Sequence, residues 1–502
     1  MKNIFSNVKY GMLSQIVKIL LQFVNRKVFL YILGVELLGV HSLFTSIISL
    51  LSMTELGMGA AVAYSLYKPL ADNDMQKVAG IMCLYKKVYR IIGCVIFAIG
   101  LCLIPFIPNF VNTPSPIPNL RLMFFIILLK CSFTYLLFAY SQTLLIASEC
   151  KYKVDRIILL FNVITSIGEV SVLLLTHNYI LFLCVEMFGL ITQQFLIYRE
   201  TKAKFPVVMN SKGITLDVEE KNKLWKNVYG LSITKFAGAV LGSIDNIIIS
   251  SFLSTAIVGY YANYSLIQTA AVSVISIAFV SITANIGHKF ANNTIEEKHL
   301  FELLLIDFFI CILSVTLYCT LISDFISLFF SPDLVLGKDV VSAIGLNMAI
   351  TYMGLSIQVF KDASGIFWYG KYRPVVTCLL NILFSLLLVA KLGIAGVVFA
   401  TCLSRILTTL WFDPYLVYKY AFNKSCLNYF KKYFYFISLI FLSVLLNWLI
   451  FEHVIQTSVS FVGFSIKTFV AVILTAIVAF VGTVRMTAFK DVSVTIMKKF
   501  RK

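Results

Sequence analysis

The sequence predicts an all-α integral membrane protein of about fourteen transmembrane helices. These form two six-helix lobes related by a parallel pseudo-two-fold repeat, followed by two further helices, with both termini in the cytoplasm. Three observations carry that expectation: composition, the spacing of apolar stretches, and the side of the chain on which Lys and Arg collect. Of 502 residues, 59% are hydrophobic and only 13% charged, with a mean hydropathy of +0.90. A soluble chain would carry about 25% charged and about 45–50% apolar residues, so an ordinary globular protein is excluded. At about 20–22 residues per crossing, fourteen helices take roughly 300 residues and leave little for an extramembrane domain.

Apolar stretches of spanning length justify the helices in order. The first six cover roughly 10–33, 39–63, 87–108, 121–147, 155–175 and 178–199. The first opens directly after Met1 to Asn7 with no small-residue cleavage site, so it reads as a spanning helix and not a removed signal. A Lys-rich polar segment over 201–226 interrupts the series, and eight more follow at 228–252, 257–287, 300–322, 339–361, 374–390, 393–418, 432–451 and 461–484. The corresponding domains are a first lobe over 1–200, a cytoplasmic linker over 201–227, a second lobe over 228–420, and helices 13 and 14 with a basic tail over 421–502.

With the N-terminus inside, the inner tails and loops hold 31 Lys and Arg and the outer loops four, Arg121, Lys338, Lys391 and Lys467. Such a bias is the positive-inside signature and would be lost if one central helix were added or removed. It also accounts for the net charge of +18 without nucleic acid as a partner. Eleven scattered cysteines contain no CxxC pair, so neither a zinc site nor a disulfide framework is indicated.

The duplication rests on matches that share one offset. Tyr10-Gly11 recurs as Tyr229-Gly230, Gly39 as Gly259, and Lys151-Tyr152-Lys153 as Lys371-Tyr372-Arg373, at offsets of 219 or 220. Six helices, an even number, precede the second copy, so both copies start on the same side and the symmetry axis runs along the membrane normal. Parallel repeats of this kind, with a site between them, are a transporter architecture.

The first helix carries Gln15, Lys18, Gln22, Asn25 and Arg26 on one arc of roughly 100°. A stripe of this kind cannot face lipid, because a cation at the bilayer centre costs several kcal/mol. The seventh helix repeats the pattern with Lys235, Gly238, Gly242, Asp245 and Asn246, and the offset sets Arg26 against Asp245. Two readings follow: stripes facing a water-filled cavity, or an Arg26–Asp245 ion pair that locks the lobes together. Lys130, Arg405 and Lys361 add cations within or at the ends of helices 4, 12 and 10, and an inward-facing set would suit an anionic phosphate or pyrophosphate head group. For Lys361, near a helix end, snorkelling to the interface is the plainer alternative. Glu55, Glu169, Glu186 and Asp307 also lie inside helices, as charge balance or as a site coupled to a proton or sodium gradient. No GxxxxGK loop, loop-borne acidic cluster or catalytic outer domain appears, so no enzyme, ATP hydrolysis, metal or other cofactor is expected.

Several stretches resemble the Wzx-type polysaccharide transporters of the multidrug/oligosaccharidyl-lipid/polysaccharide (MOP) exporter superfamily. They are Leu33-Gly34-Val35-Glu36-Leu37-Leu38-Gly39, Glu55-Leu56-Gly57-Met58-Gly59, Ser243-Ile244-Asp245-Asn246, Val258-Gly259-Tyr260-Tyr261, Lys371-Tyr372-Arg373-Pro374 and Leu392-Gly393-Ile394-Ala395-Gly396. Each is degenerate alone, and their order and spacing over 33–396 are the specific part. The resemblance implies a multi-pass protein of the bacterial plasma membrane. It would flip undecaprenyl-pyrophosphate-linked oligosaccharide between leaflets by alternating access, for capsule, O-antigen or exopolysaccharide assembly, alongside a polymerase machinery. It further implies Arg26 as head-group ligand, helices 13 and 14 as the place of the lipid tail, and Gly34 and Gly39 as hinge points. An ion-coupled drug exporter of the same superfamily is the alternative; a polysaccharide polymerase is disfavoured by the short outer loops.

Overall fold

The computed structural model describes residues 2–52, 58–114, 116–211, 238–291, 294–364, 366, 369–455, 458–486 and 489. Among them every regular element is helical. Ten helices or helix runs are long and apolar enough to cross a membrane, and Gly238–Phe252 is a shorter apolar helix. The chain is a multi-pass membrane protein of all-helical fold.

By internal contacts the chain divides into two compact units, residues 1–262 and 263–502. The first contains α1 (Lys2–Leu51), α2 (Met58–Ala71), α3 (Met75–Leu103), α4 (Leu120–Leu137), α5 (Ala139–Ala147), α6 (Lys151–Thr176), α7 (Tyr179–Lys204), α8 (Gly238–Phe252) and the start of α9 (Thr255–Ala291). The second contains the rest of α9 with α10 (Glu297–Phe329), α11 (Lys338–Tyr352), α12 (Leu355–Ser364), α13 (Arg373–Leu407), α14 (Thr409–Val417), α15 (Leu427–His453) and α16 (Phe461–Thr483).

Two pairs of helices expected to be separate run on as one element. In α1 the break between them is the single residue Gly34, at φ 80° and ψ 177°; in α13 it is Gly393, at φ 56° and ψ −135°. Positive φ is cheap only for glycine, so one residue turns the chain without a loop. The α6–α7 joint is almost as tight: His177 takes the left-handed conformation, and the Asn178 side chain accepts from the N–H groups of Ile180 and Leu181. Elsewhere one expected helix becomes two. The stretch 121–147 is interrupted at Phe138, and 339–361 is broken at Met353-Gly354 between α11 and α12.

In the first unit α1 packs along α6, α3 along α4, and α7 between α4 and α6. Val40, Leu43, Phe44, Leu66, Phe124 and Leu128 form its fully buried core. Helix α6 is amphipathic in the inverse sense. Leu160, Ile164, Ile167 and Leu174 are exposed, while Ser166 and Glu169 are buried, the arrangement a hydrocarbon surround selects. In the second unit α10 is central, contacting α11, α12, α15 and α16.

The repeat-related glycines meet. A Cβ on Gly39 would collide with the Thr255 carbonyl, and one on Gly259 with the Val35 carbonyl, so α1 and α9 cross with backbones in contact. Asn112 secures the crossing: its N–H donates to Thr255 Oγ1 at 2.8 Å, its side-chain amide donates to the Leu253 carbonyl at 3.0 Å, and its carbonyl accepts from the Thr255 N–H at 2.8 Å. The two basic motifs each make an ion pair. Lys153 pairs with Glu200 on α7, and Arg373 pairs with Asp413 on α14 at 3.3 Å.

Candidate functional site

Three of the five polar residues singled out on α1 line a cavity of about 360 Å³ within the first unit; Gln15 and Arg26 are not among its lining residues. Helix α1 contributes Lys18, Gln22 and Asn25; α4 contributes Lys130; α7 contributes Glu186 and Gln193. Helix α6 supplies Asn162, Thr165, Ser166 and Glu169, spaced so that one helical face lines the space.

Two linked groups organise the walls. Ser166 Oγ donates to Asn25 Oδ1 at 2.6 Å, and Asn25 Nδ2 donates to Glu169 Oε2 at 2.6 Å. Asn25 therefore has both ends of its amide engaged and ties α1 to α6. Across the cavity, Lys130 Nζ and Glu186 Oε1 form an ion pair at 2.8 Å, with side-chain exposures of 18% and 27%. The Glu186 Oε2 atom, Asn162 Nδ2 and Arg26 Nη1 are buried without a hydrogen-bond partner. Two lysines and two glutamates line this cavity, which gives an acid-bearing, ampholytic site with room for water.

The remaining residues singled out in the sequence are placed as follows. Gln15 is partly buried on α1. Among the described residues Arg26 makes no ion pair, so the Arg26–Asp245 lock is not formed. Asp245 has an interaction of its own. Asn246 Nδ2 donates to Ser46 Oγ at 2.9 Å, joining α8 to the second half of α1. In the second unit Arg405 donates to Asn347 Oδ1 at 3.0 Å and also to Thr351, both on α11. Lys361 is 5% exposed and pairs with Asp413 Oδ1 at 3.0 Å, where Arg373 also binds, so it is buried and does not snorkel. Asp307 is fully buried on α10. Glu55 and Lys235 lie outside the described residues.

Sequence reading did not single out Asn162, Thr165, Ser166 or Gln193 for the site. Their signal was present: 162, 165, 166 and 169 form one helical face, but three of the four are uncharged and stand out only once Glu169 is used as the anchor of the face. His41 has its Nδ1 3.0 Å from Tyr179 Oη and packs among Phe29, Tyr179 and Phe182.

By sequence, the chain matches no known family and no curated protein. By structure, it is similar to the lipid II flippase MurJ in an inward closed conformation, with a TM-score of 0.70 and 14% identity over 95% of this chain and 98% of that one. An inward-facing multidrug resistance MATE family transporter of the MOP superfamily gives a TM-score of 0.62 at 13% identity, over 80% of this chain and 94% of that one. A MATE transporter of Vibrio cholerae gives 0.60 at 12% identity, over 84% of this chain and 97% of that one. The chain shares the fold of these three structures.

Proposed function

We propose that the protein is a flippase that carries undecaprenyl-pyrophosphate-linked oligosaccharide repeat units from the cytoplasmic to the outer leaflet of the bacterial plasma membrane. The observation that carries this reading is the match to the lipid II flippase over 95% of the chain, where the MATE transporters cover 80 to 84%. The physics agrees: each unsatisfied polar group in hydrocarbon costs several kcal/mol, so a sugar-pyrophosphate head needs a wet cleft while its polyprenyl tail stays in lipid. Arg26, with Nη1 lacking a hydrogen-bond partner, is the head-group ligand, and Lys18 supports it from the same helix. Helices α15 and α16 hold the tail, and the product feeds a polymerase machinery. Glu169 and Glu186 are the coupling carboxylates, where a proton or sodium ion is taken up.

The acid-bearing cavity specifically favours a second reading, an ion-coupled exporter of a small amphipathic cation. The two are separated by the sidedness of lipid-linked repeat units in cells depleted of the protein. Under the flippase reading the units accumulate on the cytoplasmic face, Arg26→Ala does not restore them, and Arg26→Lys restores them in part. Normal appearance of the units outside would overturn it and favour the exporter.

A further inference from the structure

The second unit holds a carboxylate that the reading above does not use. Asp307 of α10 is 0% exposed, and its Oδ2 accepts the backbone N–H of Ser356 at 2.6 Å. Ser356 is the second residue of α12, so Asp307 serves as the cap that the half-helix lacks after the break at Met353-Gly354. Its Oδ1 makes no hydrogen bond. The Ser356 hydroxyl, also 0% exposed, lies beside the same carboxylate as a side-chain donor to it. Tyr352 Oη, on the far side of the break, is likewise without a partner.

The titratable groups that face Asp307 are neutral or acidic. Cys311 stands one turn along α10 with its thiol directed to the Ala349 carbonyl at 3.8 Å, and α15 contributes Tyr429 and Tyr433. Helix α16 buries only Gly463, Ala471, Thr475, Ala479 and Thr483. The charged residues of α12, Lys361 and Asp362, are engaged elsewhere, with Asp413 and Gln358. Among the described residues no cation pairs with Asp307.

Hydrogen bonds to an ionised carboxylate return only part of what its removal from water costs. The Ser356 N–H and hydroxyl do not offset that cost, so a positive charge must join the carboxylate. We propose that Asp307 Oδ1, with the Ser356 hydroxyl beside it, takes up one small monovalent cation, a proton or a sodium ion, and that this occupancy holds α12 to α10 across the break. The site lies wholly in the second unit. Its test is binding to the purified chain, so failure of the cargo reading leaves it intact.

The test uses the full chain in lipid nanodiscs, with two probes: sodium titrated against potassium and read by radiolabelled sodium binding, and infrared detection of a protonated carboxyl group. Both arms use a Glu169→Gln/Glu186→Gln background, which removes the carboxylates assigned to coupling; there the sodium arm expects one saturable site lost in Asp307→Asn and weakened about tenfold in Ser356→Ala, the cost of about one ligand. The proton arm expects a carboxylic acid band that disappears in Asp307→Asn and shifts in Ser356→Ala. Asp307→Glu, which keeps the charge, retains whichever signal is found and controls for misfolding of Asp307→Asn. A protein of that background that shows neither signal, or whose signal survives Asp307→Asn, overturns the proposal.

Discussion

The Lys130–Glu186 pair illustrates what one residue can and cannot disclose. Both were conspicuous as charges inside apolar stretches, but nothing in the local pattern joins positions on different helices, and the pairing emerged only with the packing of α4 on α7. Removing one partner leaves the other charged in a poorly solvated wall, whereas removing both does not. Lys130→Met and Glu186→Leu should each lower stability by on the order of 1–3 kcal/mol, and the double variant should lie closer to wild type than their sum. Thermal unfolding in detergent measures this, and strict additivity would show that the pair is energetically idle. Lys361 teaches the same lesson in reverse. Its place near a helix end suggested snorkelling, yet Asp413, 52 positions away, draws it inside. Buried carboxylates without matching sequence signals decide such cases.

Among elements, Gly39 and Gly259 stood out in the sequence and the interruptions did not. In the fold these two glycines lie at a backbone contact between α1 and α9. The break at Phe138 has no neighbouring glycine or proline to announce it, and the one at Thr408 has only Pro414, inside the following helix. Gly34 permits a clean comparison. Placing a Cβ at φ 80° and ψ 177°, a region essentially confined to glycine, should cost about 1–3 kcal/mol, although nothing lies within 4 Å of that Cβ. Gly238→Ala, at ordinary φ and equally unobstructed, should stay within about 0.5 kcal/mol of wild type. Equal Tm losses for Gly34→Ala and Gly238→Ala would remove backbone conformation as the explanation. Gly39→Val should be worse than either, since it separates two helices in contact, and its loss should be matched by Gly259→Val.

For the whole molecule, the composition and the charge asymmetry sufficed for an all-helical membrane fold, because hydrocarbon leaves few alternatives to the chain. They could not reveal how polar side chains pair within a unit, which depends on helix rotation and on uncharged partners such as Asn25 and Ser166. Sidedness itself is a prediction. In a cysteine-free background, Lys338→Cys should react with an impermeant maleimide from outside the cell, and Lys371→Cys only after permeabilisation; the reverse pattern would invert the topology. On that topology the joints at Gly34, at His177-Asn178 and at Gly393 all turn at the outer face. A chain that reverses in one or two residues offers an antibody, a protease or a phage tail almost nothing to grip. Recognition from outside falls to longer stretches such as 104–119 and 330–338, where an epitope tag can be inserted without unmaking a one-residue turn.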